Sequence, residues 1–370
     1  MIRERKKTFD FILLLTVLIL VATGIVMVLS ASTPTAQSKY NDIYYYFKKQ
    51  LIFAAIGFAG LFFLANFDYR KLRKFGAPLL LASIALLVLV LIPGIGQPVK
   101  DTWRWILIAG FQFQPSEVAK FALILFLAGS LAKRQDTLKY FWKGFFPYLI
   151  VVGVFSVLIM LEPHLSCTII IVLISLIMLF SAGAKKRHFL ILTGLGAGLV
   201  AFALKKFPYM LTRVTTFLDP WKYAQDEGWQ IVQSLYAIGS GGLFGKGLGR
   251  SLQKYMYLPE PHNDFIFSVI AEELGFIGVT GVLLLFGLFI WRGIKISLNA
   301  SDSFGSLLAA GITSLIAIQT ILNIGVVTAS IPATGVALPF FSAGGTALIM
   351  FMGEVGILLN ISRYSRYDRL

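Results

Sequence analysis

Pro259-Glu260-Pro261-His262-Asn263-Asp264-Phe265-Ile266-Phe267-Ser268-Val269 leads from a polar loop straight into an apolar run that continues to Trp291. At about 1.5 Å per residue, a helix of that length exceeds the roughly 30 Å of a bilayer's hydrocarbon. Asp264 therefore stands at the mouth of a membrane-spanning segment, with Glu272 and Glu273 two turns farther in. Charges at or inside a bilayer are costly, and function is the default reading of their retention. Either the helix tilts steeply or its first turns stand above the membrane; both keep Asp264 at the interface. Helix neighbours point about 100° apart, so only one of Glu272 and Glu273 easily shares Asp264's face.

Outward from this segment the pattern repeats. The chain of 370 residues is 57% hydrophobic with mean hydropathy +0.79, which does not fit a soluble globular domain. Apolar runs recur at about 10–31, 51–67, 76–93, 115–132, 145–161, 167–183, 188–204, 264–290, 304–325 and 341–361. The expected fold is an all-α integral membrane protein with about ten transmembrane helices. It forms one polytopic domain over 1–370, with a large extracytoplasmic loop, 205–263, between the seventh and eighth spans. The first span is read as a retained helix, because no convincing cleavage site follows it.

The formal charge of +15 is distributed as a membrane protein distributes it. With the N-terminus in the cytoplasm and ten alternating spans, the basic loops 68–75, 133–144 and 184–187 fall inside. So do Arg292, Lys295 and the tail with Arg363, Arg366 and Arg369. This is the positive-inside pattern, and it places both termini in the cytoplasm. Nucleic-acid binding is set aside, since no basic segment is soluble and interleaved with stacking aromatics. The single cysteine, Cys167, excludes a disulfide within the chain and a cysteine-cluster metal site. The three histidines, His164, His188 and His262, lack metal-ligand spacing.

Three further constellations carry chemistry. Trp103-Arg104-Trp105 precedes Gln114-Pro115-Ser116-Glu117-Val118-Ala119-Lys120. Pro115 and Ser116 suit a helix start, and Glu117 and Lys120 are three apart, close enough to touch. They read either as an internal ion pair or, with Lys120 and Arg104 as donors, as a pyrophosphate holder. Arg213 in the large loop is a further cation on that side, or an interfacial anchor. Gly239-Ser240-Gly241-Gly242-Leu243-Phe244-Gly245-Lys246-Gly247-Leu248-Gly249-Arg250 is either a hairpin or re-entrant turn, or a phosphate-facing loop with Lys246. It lacks the ending of a Walker loop. In the last constellation, Ser330 to Thr346, two prolines and three glycines break a helix where irregular backbone must be buried or line a wet cavity. Ser342 there lacks a neighbouring base in its own segment. Asp264 itself reads either as a helix N-cap or as a functional acid.

Taken together, these segments resemble the SEDS family (shape, elongation, division and sporulation proteins), to which FtsW, RodA and SpoVE belong. The resemblance rests on Leu258 to Phe267 followed by Ala271-Glu272-Glu273-Leu274-Gly275, on Arg104-Trp105 with Gln114-Pro115-Ser116-Glu117, on Gln233-Ser234 with Gly239-Ser240-Gly241-Gly242 and Gly245-Lys246-Gly247, and on Pro339-Phe340-Phe341-Ser342-Ala343-Gly344-Gly345. It covers nearly the whole chain, and its wording sits closer to the division and sporulation branches than to elongation.

The resemblance implies a peptidoglycan glycosyltransferase of the bacterial cytoplasmic membrane that polymerises lipid II at the outer face. Asp264 matches the acidic residue of the motif, which makes it the implied general base. Arg104, Lys120, Glu117, Arg213, Lys246 and Ser342 become candidates for binding pyrophosphate and glycan. A divalent cation, Mg or Mn, is a possible aid, and a class B penicillin-binding protein is the implied partner for crosslinking. One departure is His164, where the family commonly carries an acidic residue. A lipid II flippase and a noncatalytic division scaffold are the rival readings; the first expects an acidic site near the bilayer midplane and the second needs none.

Overall fold

A computed structural model describes residues 8–99, 102–108, 110–206, 208–226, 228–255 and 257–365. Asp10 opens helix α1 (Phe11–Tyr40) by accepting from the Leu13 amide at 3.0 Å, and Asn41, in the left-handed region at φ 52°, closes it. After it come α2 (Tyr45–Asn66), a 3-10 turn at Tyr69–Phe75, and α3 (Gly76–Val90). Pro115 in the first turn starts α4 (Pro115–Leu131), where its missing N–H costs nothing. α5 (Phe146–Leu161), α6 (Leu165–Ser181) and α7 (Lys186–Lys206) follow. The chain then forms α8 (Pro208–Leu218), α9 (Trp229–Ser240), α10 (Ile266–Asn299), α11 (Ser303–Val327) and α12 (Gly345–Ser362).

Ten of these helices, α1 to α7 and α10 to α12, fall in order on the ten apolar runs. Seven described segments are long and apolar enough to cross a bilayer unaided. α6 is apolar but only 17 residues long, and α4 carries Glu117 and Lys120. Exposed apolar side chains such as Phe63 on α2, Leu81 on α3, Val157 on α5 and Leu284 on α10 give the bundle a lipid-facing surface. The protein is a multi-pass membrane protein. Met1–Lys7 in sequence order and the last five residues, which carry Arg366 and Arg369, lie outside the described residues.

Three features depart from the sequence reading. Between α3 and α4 the chain forms a three-stranded antiparallel sheet in the order β1 (Gly96–Val99), β2 (Thr102–Ile108), β3 (Phe111–Phe113). Strands this short carry too little alternation to be seen beside long apolar runs. The large loop 205–263 holds α9, which agrees with the helical reading of Trp229–Ile238, and also α8, which the sequence reading did not anticipate. The third departure is α10, which is broken at Gly275, where φ is 65° and ψ −167°. A non-glycine residue is strained there. The 24 residues beyond the break reach about 36 Å, enough to cross the hydrocarbon alone. Glu272 and Glu273 therefore lie on the short helical piece before the break, and the run from Asp264 to Trp291 is not the single unbroken helix expected.

The irregular segment before α12 enters the bundle, as two prolines and three glycines suggested. Phe340 and Phe341 are fully buried. Phe340 packs on Phe289 (6.0 Å) and Phe351 (5.8 Å), and Phe341 on Phe286 (6.0 Å). α1 admits the loop at Gly24, where an added Cβ would sit 2.3 Å from the Phe340 carbonyl oxygen. At the end of the bundle away from Asp264, Arg292 holds Asp10 through Nε (2.8 Å) and Nη2 (2.5 Å), while the Asp10 amide donates to Ser362 Oγ. Tyr69 donates to Asp302, the acid that caps α11 on the Gly305 amide. These ties join α1, α10, α11 and α12 at the end opposite the site.

Candidate active site

Asp264 precedes Phe265, which takes the N-cap position of α10, and no side chain caps that helix. The carboxylate is thus not spent in the capping role open to it in sequence. It is half-buried and faces the backbone at Gly335, where an added Cβ would lie 2.9 Å from Oδ2. Main-chain ties fix the segment that carries it. Ala343 N donates to His262 O (2.9 Å), Ser342 Oγ to Asn263 O (2.8 Å), and Asn323 Nδ2 to Asp264 O (2.7 Å). The His262 ring lies 4.3 Å from that of Tyr46.

Ser342 belongs to this scaffold. Its hydroxyl accepts from the Leu338 amide at 2.7 Å while donating to Asn263. A serine so engaged is a strut and has no base beside it to make it a nucleophile.

Glu117 and Lys120 meet as their spacing foretold. Both are buried, with Nζ 2.8 Å from Oε1. Lys120 also donates to Gln319 Oε1 at 3.0 Å, and Gln319 Nε2 donates to Ala337 O at 3.3 Å. The ion pair is thereby joined to the same loop that faces Asp264. α12 contributes Glu354, buried, with neither carboxylate oxygen hydrogen-bonded.

β2 carries Arg104 to the turn between α5 and α6. Its Nε donates to Glu162 O at 3.1 Å and its Nη2 to Pro163 O. Glu162 is fully buried and neither carboxylate oxygen has a hydrogen-bond partner. Burial pushes its carboxyl up to about 8, against the pull of Arg104. It is therefore neutral at pH 7. Burial, then Arg104 and Lys120, push His164 down to about 3, so it too is neutral. The position of the family's usual acid is occupied here by an uncharged ring.

Lys246 is committed elsewhere. Its ammonium lies 2.7 Å from Glu272 Oε1, which also accepts from the Leu252 amide. Glu273 accepts from Lys254 Nζ (2.8 Å), Ser30 Oγ (2.7 Å) and the Gly249 and Ser251 amides. The two glutamates face one loop together, and both bind the glycine-rich segment down. Gly275 makes this possible, since a Cβ there would strike the Gly245 nitrogen at 2.2 Å. The segment therefore takes the reading of a packed hairpin. Arg213 lies on α8, and its side chain is outside the described residues.

Among the described residues, no three His, Cys, Asp or Glu side chains group to hold a metal ion. Gln319 and Asn323 belong to none of the constellations read from the sequence. The available signal was the amide pair four residues apart in an otherwise apolar helix, since uncharged polar groups in such helices need partners.

A family model described as "Cell cycle protein" (FTSW_RODA_SPOVE) matches residues 10–367. Stage V sporulation protein E of Bacillus subtilis (strain 168) is 47% identical over 364 residues, covering 98% of this chain and 99% of its own. The probable peptidoglycan glycosyltransferase FtsW of Geobacter sp. (strain M18) is 44% identical over 368 residues, covering 98% and 99%. Among solved structures, a chain of a peptidoglycan synthase complex that coordinates polymerization and crosslinking superposes with TM-score 0.81 at 28% identity, covering 97% of this chain and 99% of that one. The rod shape determining protein RodA of Thermus thermophilus superposes with TM-score 0.70 at 28% identity, covering 97% and 98%.

Proposed function

The chain belongs to the FtsW/RodA/SpoVE cell cycle protein family, and from that premise we propose that it is a peptidoglycan glycosyltransferase with Asp264 as its general base. The observation that carries the reading is Asp264 itself. A half-buried carboxylate at a helix mouth is held by three neighbouring main-chain ties and takes no cap role. Such a group is positioned for a ligand.

The substrate is lipid II, and the reaction runs at the Asp264 end, which faces outward when the basic loops face the cytoplasm. Asp264 takes the proton of the acceptor sugar's 4-hydroxyl as that oxygen bonds to the donor's anomeric carbon. The bond from that carbon to the lipid pyrophosphate breaks, and the pyrophosphate leaves with the electron pair. An α-linked donor gives a β-linked product by one inversion, so a single base suffices and no covalent intermediate forms. Base assistance of this kind is worth about two to four powers of ten in rate.

Arg104, carried on β2 to the turn between α5 and α6, is the cation assigned to the leaving pyrophosphate, since a guanidinium pairs well with phosphate oxygens. Lys120 is held by Glu117 and Gln319 and shapes the floor of the site. Glu117, Lys246 and Ser342 support the site through packing and hydrogen bonds; substrate contact falls to Asp264 and Arg104, with Arg213 of α8 a further candidate cation. Among the described residues no three His, Cys, Asp or Glu side chains group together; a divalent cation, Mg or Mn, would take its oxygens chiefly from the pyrophosphate and water and would offset the leaving group's charge. Crosslinking falls to a partner, a class B penicillin-binding protein. The setting is the bacterial cytoplasmic membrane with both termini inside, and the role lies in division or sporulation.

The test is polymerisation of labelled lipid II by the purified protein with its partner, comparing wild type with Asp264→Asn. Glycan from wild type alone supports the proposal; equal glycan from both removes Asp264 from the chemistry. Silence from both, with the partner present, transfers the weight to lipid II transport.

A further inference from the structure

α11 is apolar over most of its length, yet it buries two amides on one face, Gln319 and Asn323, four residues apart. Asn323 is 1% exposed. Its amide has two hydrogens, and both go to main-chain oxygens of different segments: Asp264 O at 2.7 Å and Val336 O at 2.7 Å. Its Oδ1 has no hydrogen-bond partner. A buried polar atom left so is costly. An aliphatic side chain would fill the same volume without that cost, and would lose both ties. Gln319 repeats the device one turn earlier, donating to Ala337 O at 3.3 Å and accepting from Lys120 Nζ at 3.0 Å. Two consecutive carbonyls, 336 and 337, thus receive the two amides.

We propose that Asn323 is the positioning residue of Asp264, and that with Gln319 it fastens Asp264 and the Glu117–Lys120 pair to one strut, the backbone at 336–337. The proposal rests on the general-base reading of Asp264. Asn323 is buried and both its hydrogen bonds go to main-chain oxygens, so it acts through Asp264 and not on substrate. Its bond to Val336 also fixes the neighbouring Gly335 backbone against the Asp264 carboxylate. Removing the amide cuts one tie of each of two segments at once: that of the base to α11, and that of the wall opposite it.

The experiment compares wild type, Asn323→Ala, Asn323→Ser, Thr320→Ala and Asp264→Asn as full chains with the partner, by initial rates of lipid II polymerisation. Hydrogen exchange is measured on the same samples. Thr320 is the control: it is buried on the same helix and bonds only to its own Ile316 carbonyl. Asn323→Ala is expected to lower kcat about tenfold to a hundredfold, as misplacement on the order of 1 Å does, with KM for lipid II held. Exchange is expected to rise at 262–266 and 334–338 alone. Asn323→Ser keeps a donor in a smaller side chain and carries the test if the alanine variant does not fold; its kcat is expected between the two.

Wild-type kcat in the folded variants overturns the proposal. So does a loss no larger than that of Thr320→Ala with exchange unchanged at both segments. If Asp264→Asn polymerises at the wild-type rate, the base reading falls and takes the proposal with it. An inactive Asp264→Asn beside a fully active Asn323→Ala overturns the positioning role only.

Discussion

Gly335→Ala isolates the placement of the base from the stability of the fold. The residue is outside the left-handed region, so an L side chain meets no backbone penalty. One heavy atom crowds the new methyl: Asp264 Oδ2 at 2.9 Å, with the carboxyl carbon already at 3.8 Å. Ordinary contact begins near 3.4 Å, so the oxygen must retreat by about 0.5 Å, a rotation of the side chain about χ1 and χ2 that costs little. Catalysis is less forgiving: a misplacement of about 1 Å costs about a hundredfold, so half that distance is worth roughly tenfold. The expected result is a kcat about one tenth of wild type in lipid II polymerisation, with the thermal unfolding midpoint in detergent unchanged. Gly281→Ala is the control, since its Cβ would meet nothing within 4 Å. Full activity in Gly335→Ala, or activity lost only in step with unfolding, would refute the reasoning that the carboxylate's position against this backbone matters.

Other outcomes follow from the scaffold. Glu273→Ala strips a buried carboxylate from Lys254 and two amides, and a broken buried pair costs about 3–5 kcal/mol, so a large drop in thermal midpoint is expected; an unchanged midpoint would show that the loop is held by other means. Gly275→Ala combines a glycine-only conformation, worth about 1–3 kcal/mol of strain, with collision against backbone at 2.2 Å, and should destabilise more than any other glycine change in α10. Glu162 keeps its proton up to about pH 8 when folded and only to about 4.5 when unfolded. The folded state therefore binds more protons between those values, and its contribution to stability declines as pH rises through that window. Unfolding midpoints measured from pH 5 to 8 should fall less steeply for Glu162→Gln than for wild type; parallel slopes would contradict the buried, raised carboxyl. Ser342→Ala should retain measurable polymerisation with reduced stability, whereas abolished turnover in a folded variant would reopen a chemical role for the hydroxyl.

The order and number of long helices were legible because a bilayer demands about twenty apolar residues per crossing, and runs of that length have few other uses. The same arithmetic placed Asp264 at a helix mouth, and the three-residue spacing of Glu117 and Lys120 was enough to pair them, since helix geometry alone brings such neighbours together. The re-entrant course of the segment before α12 followed from prolines and glycines that cannot continue a helix. Chain order, however, carries no information about which carbonyl a distant amide will reach. Only the folded bundle brings Asn323 to Asp264, 59 positions away, and Gln319 to Lys120, 199 positions away. The break at Gly275 was equally hidden, because a glycine in an apolar helix is tolerated or bent according to what packs on it, here the backbone of Gly245. That contact brings the loop onto Glu272 and Glu273 and pairs Lys246 with Glu272. Local periodicity and hydrophobic length thus wrote the membrane architecture into the sequence, while the assignment of each charge to structure or to chemistry depended on long-range partners that exist only once the helices are assembled.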